Sequence, residues 1–232
     1  MAKLFKLRPR KILTVLAFAL VLCGAFAMSA QANYIDFFIG PPHSGASISY
    51  AGGATPLIGS NITVKSVIGV DTTSNSLDEL VILSGELNFT TGALTGSSSN
   101  EWDFGPGGTF TITGAIPTLG INDITTVLVT GSFDSAAVFQ GSTYFKLGFG
   151  DITDTKNEEL VEYYGFPESQ VFEGLMNLSF ITNSVIPPNA FCSVIVGSGD
   201  LQNNPVPVPP SMLLLGTGLL GLGLIPRQKA VE

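Results

Sequence analysis

Oxygen-bearing side chains gather most densely in Asp151-Ile152-Thr153-Asp154-Thr155-Lys156-Asn157-Glu158. A calcium ion takes about six to eight oxygen ligands, and Asp151, Asp154 and Glu158 are the carboxylates that could contribute to one. The stretch is not an EF-hand loop, because the glycine of the sharp turn is missing and Lys156 opposes a cation. A solvated acidic turn capping a following helix accounts for the same residues. No catalytic set is visible. The one histidine, His43, stands among Pro41, Pro42 and Gly45 and reads as a solvated loop residue. Neither a Gly-x-Ser-x-Gly elbow nor a Cys/His cluster occurs, so Ser-His-Asp chemistry and zinc ligation lack their partners. Cys192, in Ala190-Phe191-Cys192-Ser193-Val194-Ile195, reads as a small buried apolar residue. Paired carboxylates could hydrolyse glycosides, but no local spacing singles out a pair. Trp102 and Phe104, beside Gly105-Pro106-Gly107-Gly108, read as an aromatic cover over a core, with an exposed sugar-stacking platform as the alternative. The expectation is therefore no catalytic residue, no cofactor-binding residue and no organic cofactor, with calcium as the candidate ion.

The elements that must position these residues are strands. Between Asn33 and Asn204 the apolar residues fall in short runs, interrupted every ten to fifteen positions by Gly, Ser, Thr, Asn and Pro. That pattern predicts an all-β domain over residues 33–204, an antiparallel β-sandwich or jelly roll. Candidate strands cover 46–50, 61–70, 79–84, 85–90, 109–113, 125–130, 143–149, 175–182 and 191–196. In Gly108-Thr109-Phe110-Thr111-Ile112-Thr113-Gly114 the alternation is strict and puts Phe110 and Ile112 on one face. Asn157 to Gly165 reads as a short helix, opened by acidic residues and stopped by Gly165 and Pro167. Thr91-Gly92, Thr113-Gly114 and Thr130-Gly131 read as recurrent turn or bulge positions.

Charge narrows the partners. Of 232 residues, 45% are hydrophobic and 12% charged, about half the usual ~25% for the latter. Between Asn33 and Ser211 three basic residues (Lys65, Lys146, Lys156) face seventeen acidic ones, a net charge of −14. Nucleic-acid binding needs basic patches and is excluded on that balance.

Both ends carry addresses. Lys3, Lys6, Arg8, Arg10 and Lys11 precede an apolar run from Ile12 to Met28, and Ala30-Gln31-Ala32 supplies small residues where a signal peptidase cuts. Residues 1–32 thus read as a secretory signal peptide cleaved after Ala32, with a retained anchor helix as the alternative. At the other end Met212 to Ile225 is apolar, closed by Pro226 and followed by Arg227 and Lys229. A helix of that length spans roughly 21 Å against a hydrocarbon core of ~30 Å, which suits a temporary hold better than a permanent span. Within it Gly216-Thr217-Gly218-Leu219-Leu220-Gly221 matches a dinucleotide-binding pattern. It has no room for the acidic residue required ~20 positions on, so these glycines read as close-packing positions of a membrane helix.

The order Val206-Pro207-Val208-Pro209-Pro210, then a Leu- and Gly-rich run, then a basic tip resembles the PEP-CTERM sorting signal of exported proteins. It departs from the family's pattern at Val208, which stands where a glutamate is usual, and in its thin basic tip. The resemblance covers residues 206–232. It implies a sorting signal over 205–232 with a transmembrane helix at 211–226, transient anchoring in the inner membrane, and cutting near the proline motif by an exosortase. Delivery to the cell surface or extracellular matrix follows. Signal peptidase and exosortase are then the processing partners, with extracellular polysaccharide or other matrix proteins as surface contacts. The resulting expectation is a non-enzymatic surface or matrix protein; the alternative is a carbohydrate-binding or carbohydrate-active β-sandwich module.

Overall fold

The computed structural model describes residues 33–183 and 185–206; the signal-peptide positions Ala30 and Ala32, and the tail from Pro207 onward, lie outside the described residues. In chain order the strands are β1 (Tyr34–Ile39), β2 (Ser47–Tyr50), β3 (Pro56–Val70), β4 (Glu79–Ser97), β5 (Glu101–Phe104), β6 (Gly108–Ala115), β7 (Val127–Gln140), β8 (Phe145–Lys156), β9 (Phe172–Thr182) and β10 (Phe191–Pro205). A 3-10 turn covers Pro117–Leu119, and one helix, α1, covers Glu158–Tyr163. The helix falls inside the predicted stretch. Asn157 caps it by accepting from the Leu160 amide, and Glu158 and Glu159 occupy its first turn, where carboxylates favour the helix dipole.

The all-β expectation holds, and every pairing is antiparallel. The strands do not form two separate sheets, however. The ladder runs β1-β3-β4-β6-β7-β8-β9-β10 and returns to β1 through Ile35↔Asn203 to Ile39↔Gly199, so it closes into a barrel of eight places. Two of those places hold a pair of collinear strands. β1 and β2 both lie between β3 and β10, and β5 and β6 both lie between β4 and β7. Alternation along one strand is the same whether its apolar face meets a second sheet or the inside of a barrel, so closure is decided by pairing at long range. Long, bulged strands allow the bending. β3 and β4 form one ladder with three register shifts, and the two predicted strands 79–84 and 85–90 are one strand that continues through the irregularity at Ser84.

A ring of eight strands leaves an interior just wide enough for side chains to fill, and here aromatic rings take a large share of it among Ile, Leu and Val. Phe37, Phe110, Phe133, Phe149, Phe172 and Phe180 are all buried. Two rings lie directly over glycines of the neighbouring strand: a Cβ on Gly59 would come within 2.0 Å of Phe89, and one on Gly108 within 2.0 Å of Phe133. In each case glycine and phenylalanine are registered partners, so the missing side chain on one strand makes room for the ring on the next.

Each end of the ring has its own stopper. Where β8 begins, Trp102 packs against Phe191 at 5.2 Å and Phe145 at 5.9 Å, Tyr50 meets Phe104 edge-on at 5.4 Å, and the Trp102 indole donates to the Asn189 carbonyl at 3.3 Å. Where β8 ends, α1 carries Leu160 and Val161 inward. Tyr164 follows, with its hydroxyl 2.8 Å from the Asp78 carbonyl and 3.1 Å from that of Val67.

Candidate functional site

Four strands present their outer faces to one shallow groove of about 670 Å³. Asp36 and Phe38 come from β1, Asp200 and Ser198 from β10, Asn177 and Ser179 from β9, and Lys146 from β8. Their common side follows from period-two alternation: Ile35, Phe37 and Ile39 point into the barrel, which turns Asp36 and Phe38 outward. Asn177 donates to Asp200 at 2.8 Å and so orients that carboxylate. Asp36 is raised from the usual 3.8 to about 6, first by burial and then by the negative charge of Asp200. Its Oδ1 is buried without a hydrogen-bond partner among the described residues. The groove thus sets a carboxyl that holds its proton into mildly acidic solution beside a second carboxylate, with a half-exposed phenyl ring and several hydroxyl and amide groups around them. Such a surface can hydrogen-bond a polyol, with a protonated carboxyl to donate and a carboxylate to accept.

Asp36 gives a pH-dependent stability with a definite sign. Between about pH 3.8 and 6 the folded chain binds more protons at this site than the unfolded chain, so stability falls as pH rises through that window. The full shift corresponds to about 3 kcal/mol, and solvent screening of a half-buried group reduces this to about 1–2 kcal/mol. Asp36→Asn should therefore raise stability by about 1–2 kcal/mol near pH 7 and leave it unchanged near pH 3.5. Urea unfolding at the two pH values measures this, and an equal effect at both would contradict it.

The three calcium candidates do not converge. Asp151 is exposed, at an irregularity of β8 where its φ is +53°, and Glu158 is exposed on α1. Asp154 is turned into the barrel, where it is ion-paired with Lys156, and among the described residues no group of three or more potential ligands is suited to a metal ion. The physical reason is phase: from Ile152 onward β8 alternates with Ile152, Asp154 and Lys156 inward. Sequence reasoning missed this interior pair, although the period-two spacing of the two charges behind an inward isoleucine was a readable signal. It also missed Asn203 of β10, which is fully buried and donates to Asp154 Oδ2 at 2.5 Å.

Three other expectations meet the structure. Trp102 is completely buried, which makes it the core cover and removes the sugar platform. His43 is not a solvated loop residue: its Nδ1 accepts from the Thr63 amide at 3.0 Å and its Nε2 lies 2.5 Å from the Gly197 carbonyl, so a neutral ring with its proton on Nε2 ties the 40–46 segment to β3 and β10. Cys192 is exposed, because Phe191 takes the inward place beside it. Of the sorting motif, Val206 is described. Its amide donates to the Val171 carbonyl at 2.9 Å and its carbonyl accepts from Gln170 at 3.0 Å. The chain matches no family model, no curated protein and no solved structure.

Proposed function

We propose that this chain is an exported, non-enzymatic surface or extracellular-matrix protein, routed by its N-terminal signal and released from the inner membrane by an exosortase acting at the Val206–Pro210 motif. The observation that carries this reading is the order at the C-terminus: a proline motif, a Leu- and Gly-rich run too short for a comfortable span, and Arg227 with Lys229 behind it. Prolines keep such a motif extended and open to a protease, since they cannot donate to a ladder or enter a helix interior. The body is consistent with cargo of this kind. Among the described residues its ladder closes on itself, which leaves little open sheet edge for neighbouring chains to pair with, aromatic rings pack its interior, and its acidic surface favours hydration at a cell exterior. Mass spectrometry of the mature chain, isolated from a host that carries the enzyme, tests the reading. A C-terminus near the proline motif, with residues 211–226 gone, is the expected result; chains ending at Glu232 in envelope fractions would overturn it.

A second reading, a carbohydrate-binding module, draws on the groove that holds Asp36 and Asp200. In that reading Phe38, half exposed, takes the stacking role that the buried Trp102 does not have.

A further inference from the structure

Asp154, Lys156 and Asn203 meet inside the barrel, where apolar packing fills the rest of the space. The side chains of Asp154 and Lys156 are wholly buried, and so is Asn203. One carboxylate spans the other two groups: the Lys156 ammonium donates to Asp154 Oδ1, and the Asn203 amide donates to Asp154 Oδ2. The Phe172 ring lies 3.9 Å from Lys156 Nζ and shuts water away from that side. Asn203 reaches across β9 only because position 174 is glycine, where a Cβ would stand 2.4 Å from Asn203 Nδ2. The Asn203 Oδ1 atom is buried and without a hydrogen-bond partner among the described residues. A buried ion pair has no need of an asparagine held with one of its polar atoms unsatisfied, so the trio asks for a further explanation.

We propose that Lys156 and Asn203 become joined by an intramolecular amide bond, formed by this chain alone with Asp154 as the proton carrier, so that β8 and β10 are covalently linked across β9. Burial drives both charged partners toward their neutral forms. It lowers Lys156 to about 8 against the pull of Asp154, and raises Asp154 against the pull of Lys156. Transfer of one proton from Nζ to the carboxylate leaves a free amine and a carboxamide bonded to the two oxygens of one carboxylic acid. The amine lone pair of Lys156 then attacks Cγ of Asn203. The Nζ–Cγ bond forms and the Cγ–Nδ2 bond breaks; Asp154 gives its proton to Nδ2 and receives one from Nζ. One ammonia leaves, and Asp154 ends as a neutral acid.

Two physical effects favour the step. The reacting groups are held on one carboxylate, so the entropy of bringing them together has been lost already on folding. The product also removes a desolvated ion pair from an apolar interior and gives the former Asn203 oxygen a donor, the acid proton of Asp154. The inference stands apart from how the tail is processed.

Digestion of the folded full chain with a protease that does not cut at lysine, followed by tandem mass spectrometry, tests it. The fragment carrying Lys156 and the fragment carrying Asn203 should appear as one branched peptide, lighter than their sum by one ammonia. The branched species should be lost in Lys156→Met and Asn203→Ala, and lost in Asp154→Ala although both bond-forming residues are retained. Emission from the buried Trp102 reports whether each variant is folded. Recovery of both fragments from folded wild-type chain as separate linear peptides at full mass, after prolonged incubation, would overturn the proposal whatever the variants do.

Discussion

Trp102→Ala should lower the unfolding free energy by about 3–5 kcal/mol, the usual cost of emptying a large aromatic site in a packed core. The ring is fully buried, tilted against Phe145 and edge-on to Phe191, and its indole nitrogen is bonded to the Asn189 carbonyl. Removing it opens a void at the end of the barrel where β2, β5, β8 and β10 meet, and leaves the carbonyl of the 185–190 loop without its donor. Little relaxation is available, since the surrounding rings are held by one another: Phe145 is stacked on Phe180 at 5.3 Å, and Phe180 on Phe191 at 5.7 Å. Against a typical domain stability of about 5–15 kcal/mol, such a loss is large enough to read directly from urea midpoints. Trp102→Phe should cost less, because it keeps most of the buried area and forfeits mainly the hydrogen bond, worth about 1 kcal/mol. A Trp102→Ala loss below about 1 kcal/mol would mean that the ring is not part of the packed interior.

What could be read from the chain alone followed distance in sequence. Gly108 to Gly114 alternates strictly, and the structure places Phe110 and Ile112 inside with the threonines outside or half exposed. β1 escaped because Phe38 is an outward aromatic where alternation calls for a polar residue, so Phe37-Phe38-Ile39 reads as an unbroken apolar run. Cys192 is outward for a related reason: β10 shifts register between Ser193 and Ile195, and the apolar residues Val194 and Ile195 lie exposed at that irregularity, so apolar character there does not mark the inner face. The barrel itself was not legible, since closure depends on Ile35 meeting Asn203 at the far ends of the domain. The groove was hidden similarly. Asp36 and Asp200 belong to distant segments, and only the β1–β10 ladder puts them on one surface. The Asp154–Lys156 half of the interior trio could have been found from spacing on one strand, whereas Asn203 required the register of β10 on β9 and the gap at Gly174.

The opposite end of the barrel offers an equally sharp result. Tyr164→Ala should cost about 3–5 kcal/mol, and Tyr164→Phe about 1–3 kcal/mol, because the two substitutions remove different things. The ring fills the opening between α1 and β3, where a Cβ on Gly69 would meet it at 2.4 Å, so alanine leaves a hole over a glycine with no side chain to close it. Phenylalanine keeps the ring and deletes the hydroxyl, stranding the Val67 and Asp78 carbonyls that it bridges. Those contacts tie the segment after α1 to the 71–78 loop, which is also held by Ser74 donating to the Tyr164 carbonyl at 3.3 Å and by the Asn75 amide donating to that of Tyr163 at 2.7 Å. The loss in Tyr164→Phe should therefore be local as well as global. Amide exchange at residues 71–78 should speed up more than exchange in β8 and β9, which the hydroxyl does not touch. Uniform acceleration across the barrel would show that the hydroxyl acts only on overall stability and does not fasten this end.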